Sequence, residues 1–263
     1  MSKVAMAIAA HPDDIEFLMA GTLRRLGEQG FELHYMNLAN GCCGSNQIDR
    51  ETLIGKRLDE AKAAAQALDA VHHPPICDDL GIFYEPHTLA RVASIVRQVA
   101  PSILLTHAPV DYMEDHTNTC RLSVTAAFSR GMPNFFVEPP CPAILGDVAV
   151  YHAQPYSNRD PLGDWVLPNL TVDTTDLQET KRHLLSLHAS QKEWLDASQG
   201  LDSYLATMSD LDRQVGRWSK RFEYAEGWRQ HLSIGLGPQH WNPLADAIGE
   251  RCEVLRKDSE KPA

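Results

Sequence analysis

The chain lacks any hydrophobic run long enough to cross a membrane. No secretory opening is expected either, because the apolar stretch in MSKVAMAIAAHPDD lasts about one strand before meeting two acids. Basic residues are scarce: 24 Lys and Arg stand against 35 Asp and Glu, a formal charge of -11. That balance disfavours phosphate backbones and anionic membrane surfaces, so no nucleic acid and no membrane is expected as a partner. Small polar molecules fit better. Six cysteines contain no C-x-x-C pair, and the neighbours Cys42 and Cys43 would close only a strained disulfide. Reduced thiols and a cytoplasmic location are expected, and no cysteine is assigned a catalytic role. Internal repeats, low-complexity tracts and linkers are missing as well. A single domain is therefore expected over 1–255, with a frayed tail over 256–263.

What is present is an alternation of strand-like and helix-like runs. Val4 to Ala10 reads as a buried strand, Ile15 to Gln29 as a helix stopped by Gly30, and Phe31 to Ala39 as a second strand. A loop over Asn40 to Asn46, a helix over Glu51 to Leu68 and a strand over Val71 to Cys77 follow. Thr88 to Val99 and Ser102 to Thr106 complete a β-α-β-α-β-α-β series. This order predicts an α/β fold with a Rossmann-like, mostly parallel sheet flanked by helices, and places chemistry beyond the carboxyl ends of the strands. Val148 to His152 is one more strand. The remainder is expected to be mostly helical, over Asp176 to Leu195, Gln199 to Val215 and Pro243 to Leu255.

Two clusters of polar residues sit at predicted strand ends. The first is His11-Pro12-Asp13-Asp14 with Glu16, where Pro12 keeps His11 out of helical geometry while Asp14 opens the next helix. One acid there is ordinarily a helix cap. Two adjacent carboxylates repel each other unless a cation, a proton or the helix N-terminus relieves them. The second cluster runs His107, Asp111, Tyr112, Glu114, Asp115, His116. A metal held by His11, Asp14 and His116 would have two nitrogens and one oxygen with a position left for water, the pattern of a hydrolytic zinc centre. His107 is a substitute ligand or a structural histidine. The turn after the first strand lacks G-x-G-x-x-G, which argues against a nucleotide-dependent oxidoreductase.

The AHPDDIE segment, the Asp-His ending of the second cluster and the later His188-x-Ser190-Gln191 resemble the LmbE/PIG-L family of zinc deacetylases. The resemblance implies Zn2+ on His11, Asp14 and His116, with Asp13 as the base that activates zinc-bound water. It implies removal of an acetyl group from an N-acetylated sugar or sugar conjugate. Arg57 resembles the family's substrate-gripping arginine, against the plainer reading of a surface pair with Glu51 or Glu60, and Asp111 and Tyr112 are assigned to the substrate with it. Asp115 is expected behind a histidine or as a helix cap. One position departs from the family: where a helper histidine stands three residues before the last ligand, this chain has Met113, which donates no hydrogen bond. His107, Tyr112, His152 and His188 are candidates to replace it. The alternatives are a non-catalytic metal- or sugar-binding protein and an amidase for a different amide. Trp194, Trp218, Trp228 and Trp241 either stack on a sugar or pack core and interface, and this C-terminal apolar surface points to a homo-oligomer.

Overall fold

The computed structural model describes residues 3–191 and 203–255. Trp194, the junction between the helices expected to end at Leu195 and begin at Gln199, and the tail over 256–263 lie outside the described residues. Among the described residues no helix is long and apolar enough to cross a membrane.

Five strands, β1 (Val4–Ala9), β2 (Glu32–Asn37), β3 (Ala70–His73), β4 (Ile103–Thr106) and β5 (Ala149–Ala153), run parallel in the order β3-β2-β1-β4-β5. β1 is buried on both faces, as an uninterrupted apolar run demands. Its residues alternate between two cores: Ala5, Ala7 and Ala9 pack with Leu23, Leu26 and Trp228, and Met6 and Ile8 pack with Val92, Val96 and Leu122 on the other side. Helices α1 (Asp14–Leu18), α2 (Ala20–Glu28), α3 (Arg50–Ala67), α4 (Pro86–Val99) and α5 (Glu114–Ser129) connect these strands. α3 and α4 carry side-chain caps. Asp49 accepts from Thr52 N–H at 3.1 Å and Glu85 from Thr88 N–H at 2.5 Å, with Pro86 as the first residue of α4.

The C-terminal part keeps helices at the expected places but also carries three strands that were not expected, and the helix expected over Pro243 to Leu255 ends at Ile248. Helices α6 (Gln178–Ser186), α7 (Ser203–Ser219) and α8 (Pro243–Ile248) are joined by β6 (Leu170–Asp173), β7 (Ala225–Gln230) and β8 (Cys252–Val254), which extend the sheet antiparallel in the order β5-β7-β6-β8. Ala-Glu-Gly-Trp-Arg-Gln has no β-branched residue, so strand propensity is silent at β7. The strand exists because of what it meets: Trp228 is fully buried and its indole N–H donates to Thr22 Oγ1 at 2.9 Å.

The single helix expected over Ile15 to Gln29 is broken at Met19, whose φ of -136° leaves the helical region. The cause is distant in sequence. Glu226 on β7 accepts from Gly21 N–H at 2.8 Å and Thr22 N–H at 2.7 Å, using one carboxylate to satisfy the first turn of α2. Lys181 Nζ on α6 lies 2.7 Å from both Glu226 and Asp212 of α7, and all three side chains are buried. Burial opposes the Lys181 charge, and its two carboxylate partners outweigh that and keep it protonated.

Candidate metal centre and catalytic pocket

β1 lies between β2 and β4, where the strand order reverses, and the loop after β1 meets the loop after β4 at this switch point. The first loop is tightly held. Asn37 donates to His11 O at 2.6 Å, Arg57 Nη2 to Pro12 O at 2.6 Å, and His11 N–H donates to Asp14 Oδ2 at 2.7 Å. These contacts stabilise Asp13 at a φ of 104°, a region that costs a non-glycine residue about 1–3 kcal/mol. Asp13 precedes α1 and makes no side-chain capping bond to it. Its side chain is left for something else.

Ligand atoms of His11, Asp14 and His116 all lie within 4.8 Å of one another. His11 Nδ1 is 3.4 Å from Asp14 Oδ2, and His116 Nε2 is 3.4 Å from Asp14 Oδ1. The outer nitrogens are engaged elsewhere: His11 Nε2 is 3.0 Å from Asp115 Oδ2, and His116 Nδ1 is 3.0 Å from Asp111 Oδ1. Two carboxylate-histidine pairs therefore fix both rings with one nitrogen each turned to a common point, the support that metal-binding imidazoles ordinarily have. Burial opposes charge on His11, but hydrogen bonds to Asp115 and Asp14 overcome it and raise its pKa to about 10. His116 is raised to about 9 in the same way, burial again outweighed by Asp14 and Asp111. Such a cluster calls for positive charge at its centre, and two nitrogens with one carboxylate suit a borderline divalent ion such as zinc.

Asp115 sits one residue inside α5 and does not cap it. It accepts from Leu80 N–H at 2.7 Å as well as facing His11. Replacing Asp115 with Ala is expected to weaken metal binding by about 10- to 100-fold. Competition with a chromophoric chelator measures this, and an unchanged affinity would remove Asp115 from the centre.

Asp13 Oδ2 is 3.5 Å from Arg57 Nη2, and the Tyr204 hydroxyl donates to the Asp13 carboxylate. Burial, the largest influence, raises the Asp13 pKa; Arg57 opposes it and Asp14 adds to it. A carboxylate raised in this way is a better proton acceptor near neutral pH. Arg57 is 2% exposed, and no acceptor among the described residues reaches its Nε or Nη1. Its ion-pair partner is Asp13, not Glu51 or Glu60. Asp13, His11, Asp14, His116 and Arg57 together line a cavity of about 490 Å³ whose other walls are largely aromatic and aliphatic, among them Phe17, Leu80, Tyr112, Tyr156 and Tyr204.

The remaining candidates fall in different places. Tyr112 and Met113 line the cavity, and Tyr112 lies edge-on to His116. Asp111 stands behind His116 and also accepts from Met113 N–H, so it orients a ring and does not face the cavity. His107 Nε2 accepts from Ala10 N–H at 2.9 Å, tying the ends of β1 and β4 together while its ring stacks on His116. His152 donates through Nδ1 to His107 O at 2.9 Å, and His188 lies 3.1 Å from Glu16, both away from the cavity. None of the described tryptophans lines it: Trp228 is core, Trp218 packs edge-on to Trp165, and Trp241 packs against the core. Tyr204 and Tyr156 carried no sequence signal, since only the fold brings them to this wall.

The family described as PIG-L, GlcNAc-PI de-N-acetylase, matches residues 6–127. The chain is 27% identical over 256 residues to the diacetylchitobiose deacetylase of Thermococcus kodakarensis, covering 94% of this chain and 88% of that protein. It is 25% identical over 198 residues to the 4-oxalmesaconate hydratase of Pseudomonas putida, covering 72% of this chain and 74% of that protein. The solved structure of the N,N'-diacetylchitobiose deacetylase from Pyrococcus horikoshii superposes with a TM-score of 0.74 at 21% identity, covering 92% of this chain and 88% of that one. Residues 6–127, which contain His11, Asp13, Asp14 and His116, thus match the PIG-L family model.

Proposed function

We propose that the chain is a zinc-dependent N-deacetylase acting on an N-acetylated sugar or sugar conjugate. The observation that carries this reading is the convergence of His11, Asp14 and His116 at the cavity wall with Asp13 beside them and free of any capping duty. Zinc bound there would lower the pKa of a coordinated water towards ~7 and polarise the amide carbonyl. Asp13 takes the proton of the attacking water and can return it to the departing amine. Arg57 and the Tyr204 hydroxyl hold Asp13 in place, and Arg57 sets a positive charge at the cavity wall for substrate oxygens. Tyr112 and Tyr156 offer aromatic faces to a sugar ring.

Purified protein is expected to carry one equivalent of zinc and to release acetate from members of an N-acetylglucosamine and diacetylchitobiose panel. Metal-loaded protein that releases none across the panel would overturn the reading. A second reading is favoured by Met113, which puts a thioether where the resemblance expects a helper histidine. The same centre could add water to an unsaturated acid held by Arg57, as the named activity of the Pseudomonas putida relative suggests. Loss of the ultraviolet absorbance of a conjugated dicarboxylate, without acetate release from the sugars, would decide for it.

A further inference from the structure

We infer that Cys42, Cys43 and Asp79 form a second cation site, specific for a thiophilic divalent ion, at the edge of the same cavity. Donor atoms of the three residues lie within 4.8 Å of one another, and Cys43 and Asp79 line the cavity with His11. The two sulfurs are 3.8 Å apart. Two thiolates at about 2.3 Å from one tetrahedral ion also stand about 3.8 Å apart, so the pair is spaced for sharing an ion. It is too far apart for a bond, and a ring closed between neighbouring cysteines is strained.

The loop carrying the pair is built in advance. Asp79 Oδ1 accepts from Gly41 N–H at 2.7 Å and Oδ2 from Cys43 N–H at 2.8 Å, while Asn40 Oδ1 accepts from Cys42 N–H at 3.1 Å. Gly41 adopts a φ of 77°, and a Cβ there would stand 2.6 Å from Arg57 Nε. The loop therefore closes directly over the candidate substrate arginine. Each Asp79 oxygen keeps lone-pair capacity beyond its backbone bond. Arg50, 2.5 Å from Asp78, sets its guanidinium beside Cys42.

Chemistry separates this site from the His11, Asp14 and His116 centre. Two sulfurs and an oxygen prefer zinc, cadmium or other soft ions over magnesium or calcium. Burial, then the neighbouring Cys42, pushes the Cys43 thiol up to about 11, so the sulfur stays protonated until an ion displaces the proton. Binding forms two sulfur-metal bonds and releases two protons to solvent. An ion seated there narrows the entrance beside His11 and Arg57, so metal in excess of the first equivalent would slow turnover.

Cadmium titration of the metal-free full chain tests this independently of what the enzyme hydrolyses. Wild-type protein is expected to take two equivalents, one of them with sulfur-to-cadmium charge-transfer absorption. The Cys42→Ser, Cys43→Ser double variant is expected to take one equivalent, with that absorption lost. A single equivalent in the wild type, or a band persisting at wild-type intensity in the double variant, overturns the proposal. If the double variant does not fold, Cys43→Ser alone, at the exposed position, must lose the band. On zinc-loaded enzyme, excess cadmium should slow the wild type and leave the variant at its own uninhibited rate.

Discussion

Asp13→Asn is expected to lower kcat by about 10²- to 10⁴-fold, the range that a positioned general base contributes, while metal content stays at the wild-type level. The two halves of this result come from geometry. Asp13 is outside the donor set, which consists of His11, Asp14 and His116, so the variant keeps every ligand. Asparagine preserves the side-chain shape and an oxygen that can accept from Tyr204 and Arg57, but its amide does not take up a proton. Parallel measurement of acetate release and bound metal separates three situations. Loss of turnover with metal retained supports the proposed role. Loss of both would make Asp13 part of the metal centre. Retained turnover would end its role as the base. Because Asp13 sits at a φ of 104°, Asn is also the kindest replacement for the backbone, since it tolerates positive φ better than most residues.

The parts of this site that are legible in the sequence are those set by local rules. A continuous apolar run predicts β1, a proline keeps His11 out of helical geometry, and the topology rule for parallel sheets places both polar clusters at strand ends. Parallel pairing of β1 with β2 and β4 then brings those ends together. What was not legible depends on contacts far apart along the chain. The break at Met19 needs Glu226, and β7 needs Thr22 and Lys181 as partners, none of which a local window contains. The role of Asp115 likewise required the fold: position alone suggested a cap as readily as a histidine partner, and only the 3.0 Å contact to His11 separates them. Asp111 and Tyr112 are neighbours in sequence yet face opposite ways, one behind His116 and one into the cavity. Tyr204 reaches Asp13 from α7, outside the matched residues 6–127. The cavity is thus completed by a helix beyond the matched residues.

Lys181→Met is expected to cost about 3–5 kcal/mol of stability at neutral pH, because it removes one charge and leaves two others buried without their partner. Methionine fills nearly the same volume, so packing changes little and the loss reads out charge. In the native protein Lys181 sits 2.7 Å from Asp212 and from Glu226, and Glu226 is further held by the first turn of α2. Asp212 is the weaker member: burial and the Glu226 charge already push it up to about 6 against the pull of Lys181. Without the lysine its pKa rises further, so the folded variant takes up a proton in a pH range where the unfolded chain does not. Stability of the variant relative to wild type therefore recovers as pH falls from 8 towards 6, by up to ~1.4 kcal/mol per pH unit once Asp212 protonates. Urea unfolding at several pH values measures the deficit. A deficit that stays constant over this range would show that Asp212 takes up no proton in the folded variant and that the loss does not come from unpaired buried charge. A deficit that shrinks with acid would identify the ion cluster as the joint between the C-terminal strands and α2.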